Sequence, residues 1–273
     1  MESKKIKKYL PLFGLAGLLV VLVAVMIVLS GKKSVDFAST LSSRGKCNVG
    51  VVSIHGYLDT QRTEEHVDSL SIAQGIRSLA LNNYKAIVLL IDSPGGSAAA
   101  AEEISRAVDE IKFPVVAFIR GSALSGGYWV AASADHIVAL SSSSVGNVGA
   151  TFSYLEKTDF NRKEGYTFQE IVSGEYKEVG NADKSLTPEY KRYLQDYTND
   201  LFKLFADIVM KNRGLNGEQL ALISDGKFYI ADKAMELRLI DQIGGISEVK
   251  TYLAEQGNGK ADDLLLCEPL KFE

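Results

Sequence analysis

Ser125 stands in the run Gly121-Ser122-Ala123-Leu124-Ser125-Gly126-Gly127-Tyr128, between an apolar stretch, Pro114 to Ile119, and a run of mostly small residues, Trp129 to Ala134. The first reads as a buried strand and the second as a helix. A serine at such a hand-over has its hydroxyl at a helix N-terminus. Free backbone N–H groups and the positive end of the helix dipole favour developing negative charge there. The chemistry that suits this placement is a serine nucleophile beside an oxyanion hole.

A serine hydroxyl needs a base. His55 lies at the end of the first strand, His66 in a charged loop or helix start, and His136 directly before a strand. None has the context of a triad, and each reads as structural or solvated. A Ser-His-Asp triad stays open on the residues alone, with nothing in the sequence supporting it. The alternative is a lysine. Lys177 follows an expected strand, Thr167 to Val172, in the glycine-flanked loop Ser173-Gly174-Glu175-Tyr176-Lys177. A free lysine has a pKa of about 10.4, so a base working near neutrality needs a drop of roughly 3 units, about 4 kcal/mol. Burial can supply it by disfavouring the charged form. Taken by itself, Lys177 reads as one solvated loop lysine among many.

A second glycine turn, Asp92-Ser93-Pro94-Gly95-Gly96, ends the apolar strand Ala86 to Ile91. Without side chains, Gly95 and Gly96 let a backbone N–H come close to a substrate carbonyl. The Gly126 N–H, next after the serine, is the second candidate donor. Two such donors facing a tetrahedral intermediate are typically worth a few kcal/mol each.

The elements around these residues set the fold class. Strands at Val49 to Ile54, Ala86 to Ile91, Val115 to Ile119 and Ile137 to Leu140 are solid apolar runs that alternate with helical patterns, one of them between Glu65 and Leu81. That alternation predicts an α/β fold with a mainly parallel sheet covered by helices on both faces. Ser97 is placed to cap a helix carrying Glu102 and Glu103. Thr187-Pro188 opens a long helix whose apolar stripe, Tyr190, Tyr193, Leu194, Tyr197, Leu201, Leu204, Phe205 and Ile208, suits core or subunit packing. A shorter helix-turn-helix region follows from Asn216 to Glu236.

The chain has 273 residues, 46% hydrophobic and 23% charged, with a net charge of −4. One sizeable core fits that length, and nothing suggests an electrostatic hold on nucleic acid. Cys47 and Cys267 are the two cysteines. They exclude a disulfide framework and a cysteine-rich metal site, and Cys47, opening an apolar strand, reads as a buried free thiol. No metal or cofactor is expected. Tyr9 to Ser30 is an almost unbroken uncharged apolar run, which as a helix would span roughly 33 Å, enough to cross a bilayer. Its length favours an uncleaved anchor over a cleaved signal peptide. Lys4, Lys5, Lys7 and Lys8 precede it, which places residues 1–8 in the cytoplasm and everything beyond the anchor outside. The expected organisation is therefore a cytoplasmic start (1–8), an anchor (9–30), a juxtamembrane linker (31–46), a catalytic domain (47–255) and a C-terminal tail (256–273).

The pairing of Ser93-Pro94-Gly95-Gly96 with Ser122-Ala123-Leu124-Ser125-Gly126-Gly127-Tyr128 resembles the short, single-domain form of the signal peptide peptidase A family of serine proteases. These belong to the Clp-protease/crotonase superfamily. The likeness continues through Ala134-Asp135-His136-Ile137, Gly146-Asn147-Val148-Gly149, Ser173 to Lys177, Ser224-Asp225-Gly226-Lys227 and Leu239-Ile240-Asp241. The resemblance implies a Clp-protease/crotonase-like sheet, Ser125 as nucleophile, Lys177 as general base, and the Gly96 and Gly126 amides as oxyanion donors. It also implies a membrane-tethered, ring-shaped homo-oligomer in which serine and lysine can come from neighbouring subunits. The implied substrates are remnant signal peptides and other unfolded segments near the bilayer. Two departures stand out. Asn147 replaces a serine that orients the lysine in the family, with Ser144 as a candidate substitute, and Arg238 replaces a glycine. The rival readings are a stomatin-associated membrane protease, a crotonase-type acyl-CoA enzyme and a ring-forming scaffold without activity.

Overall fold

Alternate residues of the central strands face opposite ways, and both sets are buried. In the computed structural model, which describes residues 47–63, 68–82, 84–267 and 270, strand β1 (Val49–Leu58) is followed by helix α1 (Ser69–Ala80), β2 (Ala86–Gly96), α2 (Ala98–Asp109) and β3 (Val115–Leu124). Ile87, Leu89 and Ile91 of β2 face one apolar layer, with Ile76 of α1 and Ile104 of α2. Ala86 and Val88 face another, with Val116 and Phe118 of β3. Continuous apolar strands are what a sheet covered on both sides requires.

The chain continues through α3 (Gly126–Ala132), β4 (His136–Ala139), β5 (Ser144–Gly146), α4 (Thr158–Lys163) and the long α5 (Pro188–Arg213), then α6 (Gly217–Ile223), β6 (Phe228–Ile230), α7 (Ala231–Glu236), β7 (Gln242–Ile243) and α8 (Ile246–Leu253). The main sheet has the order β1-β2-β3-β4-β7, with every pairing parallel. β5 also runs parallel to the end of β3, and β6 joins β5 antiparallel. The mainly parallel α/β sheet is thus present. Thr187 caps α5 as expected, its side chain accepting from the Tyr190 amide. Among the described residues no helix is long and apolar enough to cross a membrane. The expected anchor at Tyr9 to Ser30, its linker and His66 lie outside the described residues.

Several expectations are corrected. The Asp92 to Gly96 turn is a continuation of β2, which reaches Gly96 after a register shift between Ile91 and Ser93. The expected strand at Thr167 to Val172 does not form. That segment pairs with no strand among the described residues, and Ile171 is fully exposed. Ser97 occupies the cap position of α2 without a side-chain bond. The apolar stripe of α5 divides: Tyr190 and Phe205 are buried, whereas Tyr193, Tyr197 and Leu204 are exposed.

The largest correction concerns the cysteines. Cys47 and Cys267 form a disulfide across 220 residues of sequence, with Cα atoms 5.1 Å apart. The cause lies in the expected tail, whose Leu264 is buried. Leu266 bridges Val49 in parallel, the Cys267 amide donates to the Val49 carbonyl at 2.9 Å, and the Leu270 amide donates to Val51 at 3.0 Å. The tail therefore covers the free edge of β1, and the thiols meet because the backbones already do.

At the opposite edge, Arg213 closes α5 onto β7. Its guanidinium grips Asp241 at 2.6 and 3.0 Å, and Asp241 accepts the Ile137 amide at 2.8 Å. Burial would raise the Asp241 carboxyl, but the Arg213 bonds outweigh it and hold the pKa below its ordinary value. Arg238, where the resemblance leads one to expect a glycine, has φ 62°. It ends α7 in the left-handed conformation, with Leu239 N–H reaching back to Ala234 O at 2.8 Å.

Because the disulfide ties the tail to the first strand, Cys267→Ser should lower unfolding stability by roughly 2–5 kcal/mol. Denaturant titration of the full chain with and without reductant checks this. Equal stability of the variant and the oxidised protein would contradict it.

Candidate active site

β2 and β3 both lead to one place, the carboxyl ends of the parallel strands, where open α/β sheets hold their ligands. Past the register shift, Ser93 pairs with Ala123. Two residues after Ala123 the chain reaches Ser125 at φ 50°, ψ −123°. A residue with a Cβ avoids that conformation, which costs about 1–3 kcal/mol. Its surroundings hold it there. The Ser125 amide donates to the Gly146 carbonyl at 2.9 Å, and the Ser125 carbonyl accepts from Tyr128 and Trp129 at 2.9 and 3.0 Å. This is the sharp strand-to-helix turn that lifts a serine hydroxyl clear of a sheet.

The two glycine runs lie against each other. A Cβ added to Gly95 would fall 2.8 Å from Ser125 Cβ and 2.7 Å from Leu124 O. A Cβ added to Gly96 would strike the backbone of Leu58. Both glycines have positive φ, 103° and 156°. Ser97 N–H donates to Leu58 O at 2.8 Å, so in the parallel ladder the Gly96 N–H points away from β1. Its nitrogen lies close to Gly126, where an added Cβ would be 3.4 Å from Gly96 N. The expected oxyanion donors, Gly96 and Gly126, are therefore neighbours, and both line a cavity of about 250 Å³ with Ser125.

Residues that the sequence reading left without a role complete the site. Ser93 is buried, donates to Gly56 O at 2.7 Å and accepts the Gly95 amide at 3.1 Å, which fixes the glycine run. Its signal was its place in the quoted motif. Trp129, Leu201 and Phe205 give the cavity an apolar wall, with the Trp129 and Phe205 rings stacked at 5.2 Å. Nothing in the sequence linked α5 to Ser125 beyond its apolar stripe.

The expected base is elsewhere. Lys177 is exposed and lies outside the cavity lining. Its turn is tied to the start of α5: Tyr176 OH donates to Glu189 at 2.7 Å, and Tyr190 OH donates to the Glu175 carbonyl at 2.9 Å. The Glu189 bond pushes the Tyr176 hydroxyl up to about 12. Helix α5 meets the Ser125 cavity at Leu201, about 16 Å further along its axis than Tyr190. Within one chain, Ser125 and Lys177 are not brought together. The described residues that line the cavity include no histidine, lysine or carboxylate.

Asn147 follows the glycine whose carbonyl receives the Ser125 amide. It has φ 55°, its amide donates to Lys227 O at 2.8 Å, and its Nδ2 donates to Gly226 O at 2.6 Å. Asn147 does not line the Ser125 cavity. Ser144 lies beside Ser122 at the far end of β5, roughly 10 Å along the strand from the level of Ser125, and does not line the cavity. His55 bonds the Asp92 carbonyl at 3.1 Å, and His136 stacks on Tyr252, so neither faces the serine cavity.

Comparison with known proteins adds family information. The sequence model described as Peptidase family S49 matches residues 107–260, and the one described as Clp protease matches residues 51–145. A Methanocaldococcus jannaschii protein named "Putative protease MJ0651" is 33% identical over 179 residues, covering 65% of this chain and 58% of that protein. The chloroplastic serine protease SPPA of Arabidopsis thaliana is 29% identical over 181 residues, covering 64% and 26%. Protease 4 of Haemophilus influenzae is 26% identical over 219 residues, covering 78% and 35%. The chain matches between about a quarter and three fifths of the length of these relatives. Among solved structures, a point mutant of ClpP1 from Listeria monocytogenes aligns with a TM-score of 0.49 at 13% identity, covering 71% of this chain and 91% of that one.

If the turn at Ser125 is strained as its dihedrals indicate, Ser125→Gly should be more stable than Ser125→Ala by about 1 kcal/mol. Thermal or urea unfolding of both variants measures the difference. An alanine variant as stable as the glycine variant would remove the strain argument.

Proposed function

The chain belongs to peptidase family S49, and from that premise we propose that it is a serine endopeptidase whose nucleophile is Ser125 and whose general base is Lys177 of a neighbouring subunit. The observation that carries the reading is a strained serine that lines one cavity with Gly96 and Gly126, while the described residues lining it supply no base. Neutral Lys177 takes the Ser125 proton as Oγ attacks the peptide carbonyl, and the Gly96 and Gly126 amides hold the oxyanion. The protonated lysine gives its proton to the leaving amine, which leaves an ester on Ser125. Water, deprotonated by Lys177, then hydrolyses that ester and frees the serine. Asn147 Oδ1 is the acceptor that orients the incoming ammonium.

Subunit completion is supported by two sets of exposed apolar residues. One runs through Leu155, Phe160, Tyr166 and Ile171, around the segment that carries Lys177. The other comprises Leu222, Phe228, Ile230 and Met235 on α6, β6 and α7. Two different faces suit head-to-tail contacts, which close into a ring. The Cys47–Cys267 disulfide suits an oxidising compartment, in keeping with an anchor at residues 9–30 that leaves 1–8 in the cytoplasm and the domain outside. The substrates in this reading are cleaved signal peptides and unfolded segments near the membrane. The apolar wall of Trp129, Leu201 and Phe205 receives their small or aliphatic side chains.

Mixing two inactive chains tests the trans arrangement. Ser125→Ala and Lys177→Ala should each lose peptide cleavage alone. Co-assembled in equal amounts, they should recover about a quarter of wild-type activity, since one contact in four joins an intact serine to an intact lysine. No recovery from a mixed oligomer would reject the cross-subunit dyad, and full activity of either single variant would reject the assigned roles.

A further inference from the structure

Helix α5 presents one stripe to two adjoining hollows. Leu201 and Phe205 face the Ser125 cavity. Lys191, Gln195 and Thr198, on preceding turns at helical spacing, line an open groove of about 580 Å³. Its opposite wall is the extended segment that begins at Ala150 and Thr151, and these two residues also line the cavity. The groove therefore adjoins the catalytic pocket at Ala150 and Thr151. Among the described residues that line it, Lys191 is the only charged one. Among the described residues Lys191 forms no ion pair. The carboxylate of Glu189, two residues away, accepts from Tyr176.

We propose that this groove is a substrate subsite, taking an extended peptide away from the scissile bond and reading an acidic side chain on it through Lys191. The proposal rests on the peptidase reading above. From Lys191 to Leu201 the helix advances about 15 Å. An extended peptide covers that distance in four or five residues at about 3.3 Å each. An Asp or Glu at that separation from the cut places its carboxylate beside the ammonium, with uncharged residues in between.

The test uses the full-length protein and fluorescent peptides with amidated C-termini, matched in pairs with Glu or Gln at successive positions on either side of the cut. Binding is read by anisotropy on Ser125→Ala protein with and without Lys191→Ala, and cleavage is read on protein with Ser125 intact. Glu four or five residues from the cut should improve binding and kcat/KM roughly three- to fivefold over Gln. The advantage should vanish in Lys191→Ala and near 1 M salt, where charges are screened within about 3 Å. Lys191→Glu should favour a lysine peptide instead. Equal behaviour of Glu and Gln at every position, or an advantage that survives Lys191→Ala, overturns the proposal. A gain from a free C-terminus alone overturns the side-chain assignment. Should no peptide be cut, the peptidase reading fails, while the anisotropy ratio still decides the groove.

Discussion

The site depends on one backbone conformation. Ser125 is held at φ 50°, ψ −123° by the Gly146 carbonyl on one side and the first turn of α3 on the other. Without that turn the hydroxyl would lie along β3 and the Gly126 amide would face the helix interior. The surrounding structure reads as the means of keeping the turn. β5 exists to present Gly146, and Ser93 fixes the glycine run that touches Ser125. The parallel sheet offsets the strain by burying apolar residues on both faces, so a cost of about 1–3 kcal/mol at one residue is tolerated.

Much of this was legible in the residues. Solid apolar strands announced a parallel sheet, because only a sheet covered on both faces can bury consecutive residues such as Ala86 to Leu89 of β2. The serine turn and the glycine run were legible because few residue types fit those conformations. What could not be read depended on distance in space. The disulfide joins residues 220 apart, and only the return of the tail to β1 reveals it. The strand expected at Thr167 to Val172 has strand-like residues but no neighbour to pair with among the described residues. Arg238 ends a helix in the left-handed region, which the residue type alone does not announce.

The separation of Ser125 from Lys177 links the exposed faces to the chemistry. The turn that carries Lys177 is tied to the start of α5 through Tyr176 and Tyr190, and Tyr176 and Tyr193 beside it are half-exposed in the single chain. Covering that face with another subunit would desolvate the amine and favour its neutral form, which a base near neutrality requires. Under the proposed cross-subunit dyad, assembly and activation are one event.

The most direct measurement is to treat the assembled protein with a fluorophosphonate probe and map the adduct by mass spectrometry. The account predicts a single modified residue, Ser125, formed much faster than on any other serine. Absence of the adduct, or one on Ser93, Ser122 or Ser144 instead, would contradict the claim that this turn carries an activated nucleophile.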